Sequence, residues 1–127
     1  MDKLLNELEA FIADGIKKCD DSYAAWYKES AWYKKPTLEE AFGDSVAKDI
    51  TKLKAAIEEK RDLISFVDGF KETAKEYGKS WYDDDLKCER TGYEWETKTY
   101  VELHNMVAKS VGKPLIDFDS CYEGYGY

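Results

Sequence analysis

Residues 45–78, SVAKDITKLKAAIEEKRDLISFVDGFKETAKEYG, are the most strongly patterned stretch of the 127-residue chain. Val46, Ile50, Leu53, Ile57, Ile64, Val67 and Ala74 recur at intervals of three, four and seven, with Lys60 and Lys71 in the gaps, as one apolar stripe along a helix would. Leu63, Phe66, Phe70 and Tyr77 add a second stripe over the carboxy-terminal half. The spacing predicts a single helix of about 30 residues within about 45–77, ~45 Å long at 1.5 Å per residue, with Gly69 as its weakest point and Gly78 as a left-handed cap. The stripe over 46–57 is narrow and near the coiled-coil interval. It therefore also predicts pairing, within the chain or as a homodimer through the 46–77 helix of a second copy.

Outward from this stretch the same period recurs. Leu4, Leu5, Leu8, Phe11, Ile12, Ile16 and Cys19 predict a helix over 1–19. Residues 22–34 hold a six-residue echo, Ala25-Trp26-Tyr27-Lys28 and Ala31-Trp32-Tyr33-Lys34, and Tyr23, Trp26, Tyr27, Ser30 and Tyr33 share one helical face, which predicts a second helix. Pro36 ends it, and Thr37-Leu38-Glu39-Glu40 has the capping-box spacing of a short helix over 37–42. Beyond Gly78 the helical period lapses. Tyr93, Trp95, Thr97 and Thr99 alternate with Glu94, Glu96 and Lys98, so 80–98 reads as a loop or a small β-hairpin near 86–97. Thr99 and Glu102 repeat the capping-box spacing for a helix over 99–111, stopped by Gly112-Lys113-Pro114. Residues 115–127 show no period and read as an aromatic, acidic tail. The expected fold class is mostly α, a small helical domain covering 1–127.

Composition narrows the function classes. There are 27 Asp+Glu against 19 Lys+Arg, a formal net charge of −8. Because phosphate binding rests on Lys and Arg, direct binding to nucleic acid or to an anionic membrane is disfavoured. No run of about 18 apolar residues and no signal-peptide pattern occurs. The three cysteines, Cys19, Cys88 and Cys121, form no C-x-x-C pair, so free thiols and a cytoplasmic location are expected, in a bacterial host if the chain is phage-encoded.

The charge is unevenly placed. Residues 1–45 carry 10 acids and 6 bases, residues 46–79 carry 7 and 8, and residues 80–127 carry 10 and 5, giving net charges of −4, +1 and −5. In the last segment the acids lie among aromatics. Asp83, Asp84, Asp85, Glu94, Trp95, Glu96, Asp117, Asp119, Tyr122, Glu123 and Tyr125 are accordingly the candidate partner-binding residues. Aromatic faces supply rigid contact area and cation–π partners, and carboxylates accept hydrogen bonds from Arg and Lys, so the expected partner is a basic, nucleic-acid-binding protein or nuclease complex.

Catalytic and metal motifs are not found. His104, the only histidine, has no nucleophile or orienting carboxylate in a recognisable pattern, and neither a phosphate-binding loop nor an H-E-x-x-H helix occurs. Neither acidic cluster has the Gly and Glu spacing of a calcium loop. No cofactor, metal or catalytic residue is expected. In composition alone the chain resembles the small acidic, aromatic-rich proteins with which phages block restriction or CRISPR complexes by occupying basic surfaces. That resemblance implies a non-enzymatic inhibitor acting as a nucleic-acid mimic; the alternatives are an immunity protein neutralising a nuclease toxin and a helical assembly subunit.

Overall fold

The computed structural model of the protein describes residues 2–23 and 25–123. It is mostly helical, as the periodicity predicts. The described elements are α1 (Asp2–Asp21), α2 (Ala25–Lys28), α3 (Leu38–Phe42), α4 (Asp44–Glu58), α5 (Ile64–Gly78), β1 (Trp81–Asp83), β2 (Cys88–Arg90), α6 (Glu94–Val111) and α7 (Phe118–Cys121). No helix among the described residues is long and apolar enough to cross a membrane. The contacts divide the chain into two compact units, Met1–Arg61 and Asp62–Tyr127, where the sequence predicts one domain.

The continuous helix expected over 45–77 is two helices, α4 and α5, and the break falls at 59–63 and not at Gly69, which lies inside α5. Lys60 takes a left-handed φ of 56°. Its N–H donates to the Ile57 carbonyl and the Arg61 N–H to the Ala56 carbonyl, at 3.1 and 2.9 Å. These are the two bonds of a Schellman cap, with lysine where glycine is usual. The Asp62 carboxylate then accepts the Ile64 N–H at 3.0 Å and starts α5. A lysine in the left-handed region leaves no compositional mark, so the stripe runs through the break unaltered.

In the first unit α1, α3 and α4 pack on one another around Leu4, Leu8, Phe42, Ile50, Leu53 and Ile57, each at most 5% exposed. The Phe11 and Phe42 rings stack with centroids 5.5 Å apart. Thr37 and Glu40 form the predicted capping box, with bonds of 3.2 and 3.1 Å. The stripe read as a pairing seam is thus the buried face of α4.

The helix expected over 22–34 is only the single turn α2. Ser30 interrupts it: its N–H donates to the Tyr27 carbonyl, its carbonyl accepts the Tyr33 N–H and its hydroxyl accepts the Trp32 N–H, which replaces a helical ladder by turns. The echo is consequently read as turn and aromatic cluster. Tyr23, Tyr27 and Tyr33 meet edge to face at 5.2–6.3 Å between centroids. Lys28 lies 3.8 Å from Asp20 and 3.7 Å from Asp21.

The Tyr33 hydroxyl donates to the Asp20 carboxylate. This bond, then desolvation and the negative charge of Asp20, push the Tyr33 phenol up from 10.0 to about 12. A pKa raised by folding contributes stability that is complete below pH 10 and is lost as pH climbs through about 12. Alkaline titration of the unfolding midpoint should therefore show a decline in this window that Tyr33→Phe diminishes. Identical alkaline profiles for the two proteins would remove the role given to this bond.

The second unit is built on α5 against α6, with α7 across both. Leu63, Phe70, Ala74, Tyr100, Leu103 and Val107 form its core. The alternation at 93–99 belongs to α6 and not to a hairpin or loop, and α6 starts at Glu94, before the predicted 99. Thr97 and Thr99 are buried there. Their hydroxyls donate to the Tyr93 and Trp95 carbonyls at 2.7 and 2.8 Å, so Thr99 bonds back along the helix and does not cap one. Gly112, at φ 76° and ψ 28°, ends α6 in the left-handed conformation. The 115–127 tail contains the short helix α7, and its residues 124–127 lie outside the described residues.

Candidate functional site

The acidic, aromatic end of the second unit is held by a frame of backbone contacts. Gly78 closes α5, and a Cβ there would run into the Cys121 carbonyl; a Cβ on Gly92 would run into the Gly78 backbone. Gly78 is not left-handed, so what the site requires of it is the missing side chain and not a cap conformation. Across this contact the Glu123 N–H donates to the Gly78 carbonyl at 2.6 Å, the Gly92 N–H to the Glu123 carbonyl at 3.0 Å, and the Tyr93 N–H to the Tyr77 carbonyl at 2.8 Å. The Glu123 carboxylate also accepts the Ser80 N–H and hydroxyl, both at 3.1 Å. Three segments distant in sequence therefore converge.

From this frame the antiparallel ribbon β1–β2 projects, with Trp81 opposite Arg90, Tyr82 opposite Glu89 and Asp83 opposite Cys88. It lies upstream of the predicted 86–97, with the acidic stretch at its turn. The Asp83 carboxylate accepts the Asp85 and Leu86 N–H groups at 3.0 and 3.1 Å, and Lys87 closes the turn at φ 51°. Asp favours this self-bonded turn because its short carboxylate reaches the backbone two residues on.

Rings link the core to this surface. Phe70 touches Tyr100 (5.8 Å), Tyr100 stacks on Tyr77 (5.7 Å), Tyr77 meets Tyr93 edge to face (6.2 Å), and Tyr93 stacks on Trp81 (6.4 Å). Tyr100 is 1% exposed, whereas Trp81 is 39% and Tyr93 49% exposed. Tyr82, Leu86 and Trp95 are also exposed. No protein-family model matches the chain, and no curated protein or solved structure is significantly similar to it. The site is therefore read from its own geometry.

The predicted residues fall into two groups. Asp84, Asp85, Glu94, Trp95, Asp117 and Asp119 are exposed, and Glu96 and Tyr122 are half-buried, the latter stacked on Phe118 at 4.8 Å. Asp83 and Glu123 instead bind backbone within the fold, so they position the surface. Tyr125 lies outside the described residues. None of these carboxylates forms an ion pair among the described residues; in this unit only Glu76 does, with Lys79. Glu94 and Glu96 sit in the first turn of α6, where the helix dipole favours negative charge.

Two features escaped the sequence reading. Trp26 and Trp32 in the first unit are 74% and 85% exposed, while the tyrosines that follow them pack together. The six-residue echo was the available signal: it repeats an exposed Trp beside a Tyr of the ring cluster. The second is a cavity of about 210 Å³ in the Asp62–Tyr127 unit, between the start of α5, His104 of α6 and residues 113–116. Among the described residues no group of three His, Cys, Asp or Glu is placed to hold a metal. Cys19, Cys88 and Cys121 are free thiols, and only Cys88 is exposed.

Proposed function

We propose that the protein is a non-enzymatic binding protein that covers a basic surface of a protein partner, of the kind with which that partner holds nucleic acid. One observation carries this reading: exposed Trp81, Tyr82, Tyr93 and Trp95 lie on the same framed end as Asp84, Asp85 and Glu94, whose carboxylates have no ion-pair partner among the described residues. A carboxylate left without a cation inside the fold is available to Arg and Lys outside it, and rigid aromatics provide contact area at low entropic cost. The partner class extends, by the resemblance in composition, to a nuclease or nucleic-acid-processing complex inhibited by this mimicry.

The test is affinity capture from a bacterial lysate with the wild-type protein and with Asp84→Lys/Asp85→Lys/Glu94→Lys, which leaves the turn-holding Asp83 in place. The wild type should retain a nucleic-acid-binding protein that added DNA or RNA duplex displaces and that salt releases. Reversal of three charges should weaken that complex by about tenfold or more, ~1.4 kcal/mol. Equal retention by the folded variant, or retention indifferent to competing duplex, would sink the proposal.

A further inference from the structure

The cavity at the start of α5 presents a chemistry unlike the rest of its unit. Residues 62–127 carry 14 acids and 8 bases, yet the charged residues that line the cavity are two lysines, Lys71 and Lys113, and one aspartate, Asp68, all three at exposed positions. None of the three is in an ion pair among the described residues. The walls of the cavity are otherwise apolar, including Val67 and Leu115.

His104 completes the lining, and its tautomer follows from its neighbours. The Ile116 N–H donates to Asn105 Oδ1 at 2.9 Å and Asn105 Nδ2 donates to the Ile116 carbonyl at 2.7 Å, which orients the amide. Asn105 Oδ1, an acceptor only, lies 2.9 Å from His104 Nδ1, so Nδ1 carries the proton and the lone pair of the neutral ring is on Nε2. His104 is 1% exposed and Nε2 makes no hydrogen bond among the described residues. No sealed side-chain nitrogen or oxygen among the described residues lacks a partner, so Nε2 is not sealed, and His104 is one of the residues that line the cavity.

We infer that this cavity binds a free α-amino acid with an apolar side chain. Lys71 and Lys113 supply donors for the carboxylate. Asp68 and His104 Nε2 supply acceptors for the ammonium group, and the apolar wall covers the side chain. The opposed charges of the zwitterion answer the opposed charges of the lining, which neither a simple anion nor a simple cation does. At about 210 Å³ the cavity is smaller than the ~300 Å³ at which pockets for drug-sized ligands begin. The Asn105 clamp on Ile116 holds the wall formed by residues 113–116 in place before a ligand arrives.

His104 is the only histidine, so its ring nitrogens give an unambiguous nuclear magnetic resonance signal in the full-length protein. Titration with L-isoleucine and L-phenylalanine should move the Nε2 signal saturably at millimolar concentration. 3-Phenylpropionate, lacking the ammonium, and phenethylammonium, lacking the carboxylate, should each bind at least about tenfold more weakly, ~1.4 kcal/mol. Lys71→Gln/Lys113→Gln, at exposed positions, should keep the helical circular dichroism and lose the response. The proposal is overturned by no saturable shift with either amino acid, by 3-phenylpropionate or phenethylammonium binding as well as L-phenylalanine, or by an undiminished response in the double variant.

Discussion

Ile50→Lys should abolish cooperative folding of the Met1–Arg61 unit and not merely separate two copies of the chain. Ile50 is 0% exposed on α4, with Leu53 and Ile57 beside it on the same buried face. Replacing it removes about 2–3 kcal/mol of apolar burial and places an ammonium at a fully buried position in an apolar core, at a further cost of several kcal/mol. That total is comparable with the ~5–15 kcal/mol by which domains of this size are stable. Thermal unfolding followed by circular dichroism, with light scattering on a sizing column, checks it. Lys52→Glu on the exposed face should leave helicity and midpoint nearly unchanged. A folded Ile50→Lys protein with the wild-type midpoint would show that the stripe is not the core of this unit.

Gly92→Ala and Gly78→Ala carry the second large effect. A single methyl at Gly92 meets the Gly78 backbone, and one at Gly78 meets the Cys121 carbonyl, so neither can be accommodated by turning a flexible side chain. The backbones must separate, which stretches the Glu123 to Gly78 and Gly92 to Glu123 hydrogen bonds together. Overpacking of this sort costs about 1–3 kcal/mol, and the strained bonds place these variants at the upper end. Amide hydrogen exchange should show lost protection at Gly92, Tyr93 and Glu123, whereas Gly69→Ala, where a Cβ meets nothing within 4 Å, should retain it. Wild-type protection in Gly92→Ala would contradict the close approach. The same variant should also weaken partner capture, since the frame sets Trp81 and Tyr93 beside each other.

Much of this architecture is legible in the chain. The three-and-four spacing locates α1, α4, α5 and the later part of α6, and the Thr37–Glu40 spacing locates a cap, because local geometry alone links those residues. The break between α4 and α5 is not legible, since Lys60 enters the left-handed region without glycine and Asp62 accepts the Ile64 N–H through a carboxylate common on any helix surface. The alternation over 93–99 misleads for a related reason: Thr97 and Thr99 suit a strand by propensity, but on α6 their hydroxyls are satisfied four residues back and their methyls are buried.

The candidate surface divides along the same line. Charge and aromatic counts point to residues 80–127, because composition sums without regard to neighbours. Which carboxylates are free for a partner depends on contacts across the chain: Asp83 and Asp84 are adjacent and alike in sequence, yet one holds a turn and the other is exposed. The His104 cavity is likewise invisible in a string of letters, since Lys71, His104 and Lys113 meet only when α6 packs on α5 and Asn105 draws Ile116 back. Periodicity within one helix is a short-range property and is written in the sequence; convergence of distant segments arises from packing and is not.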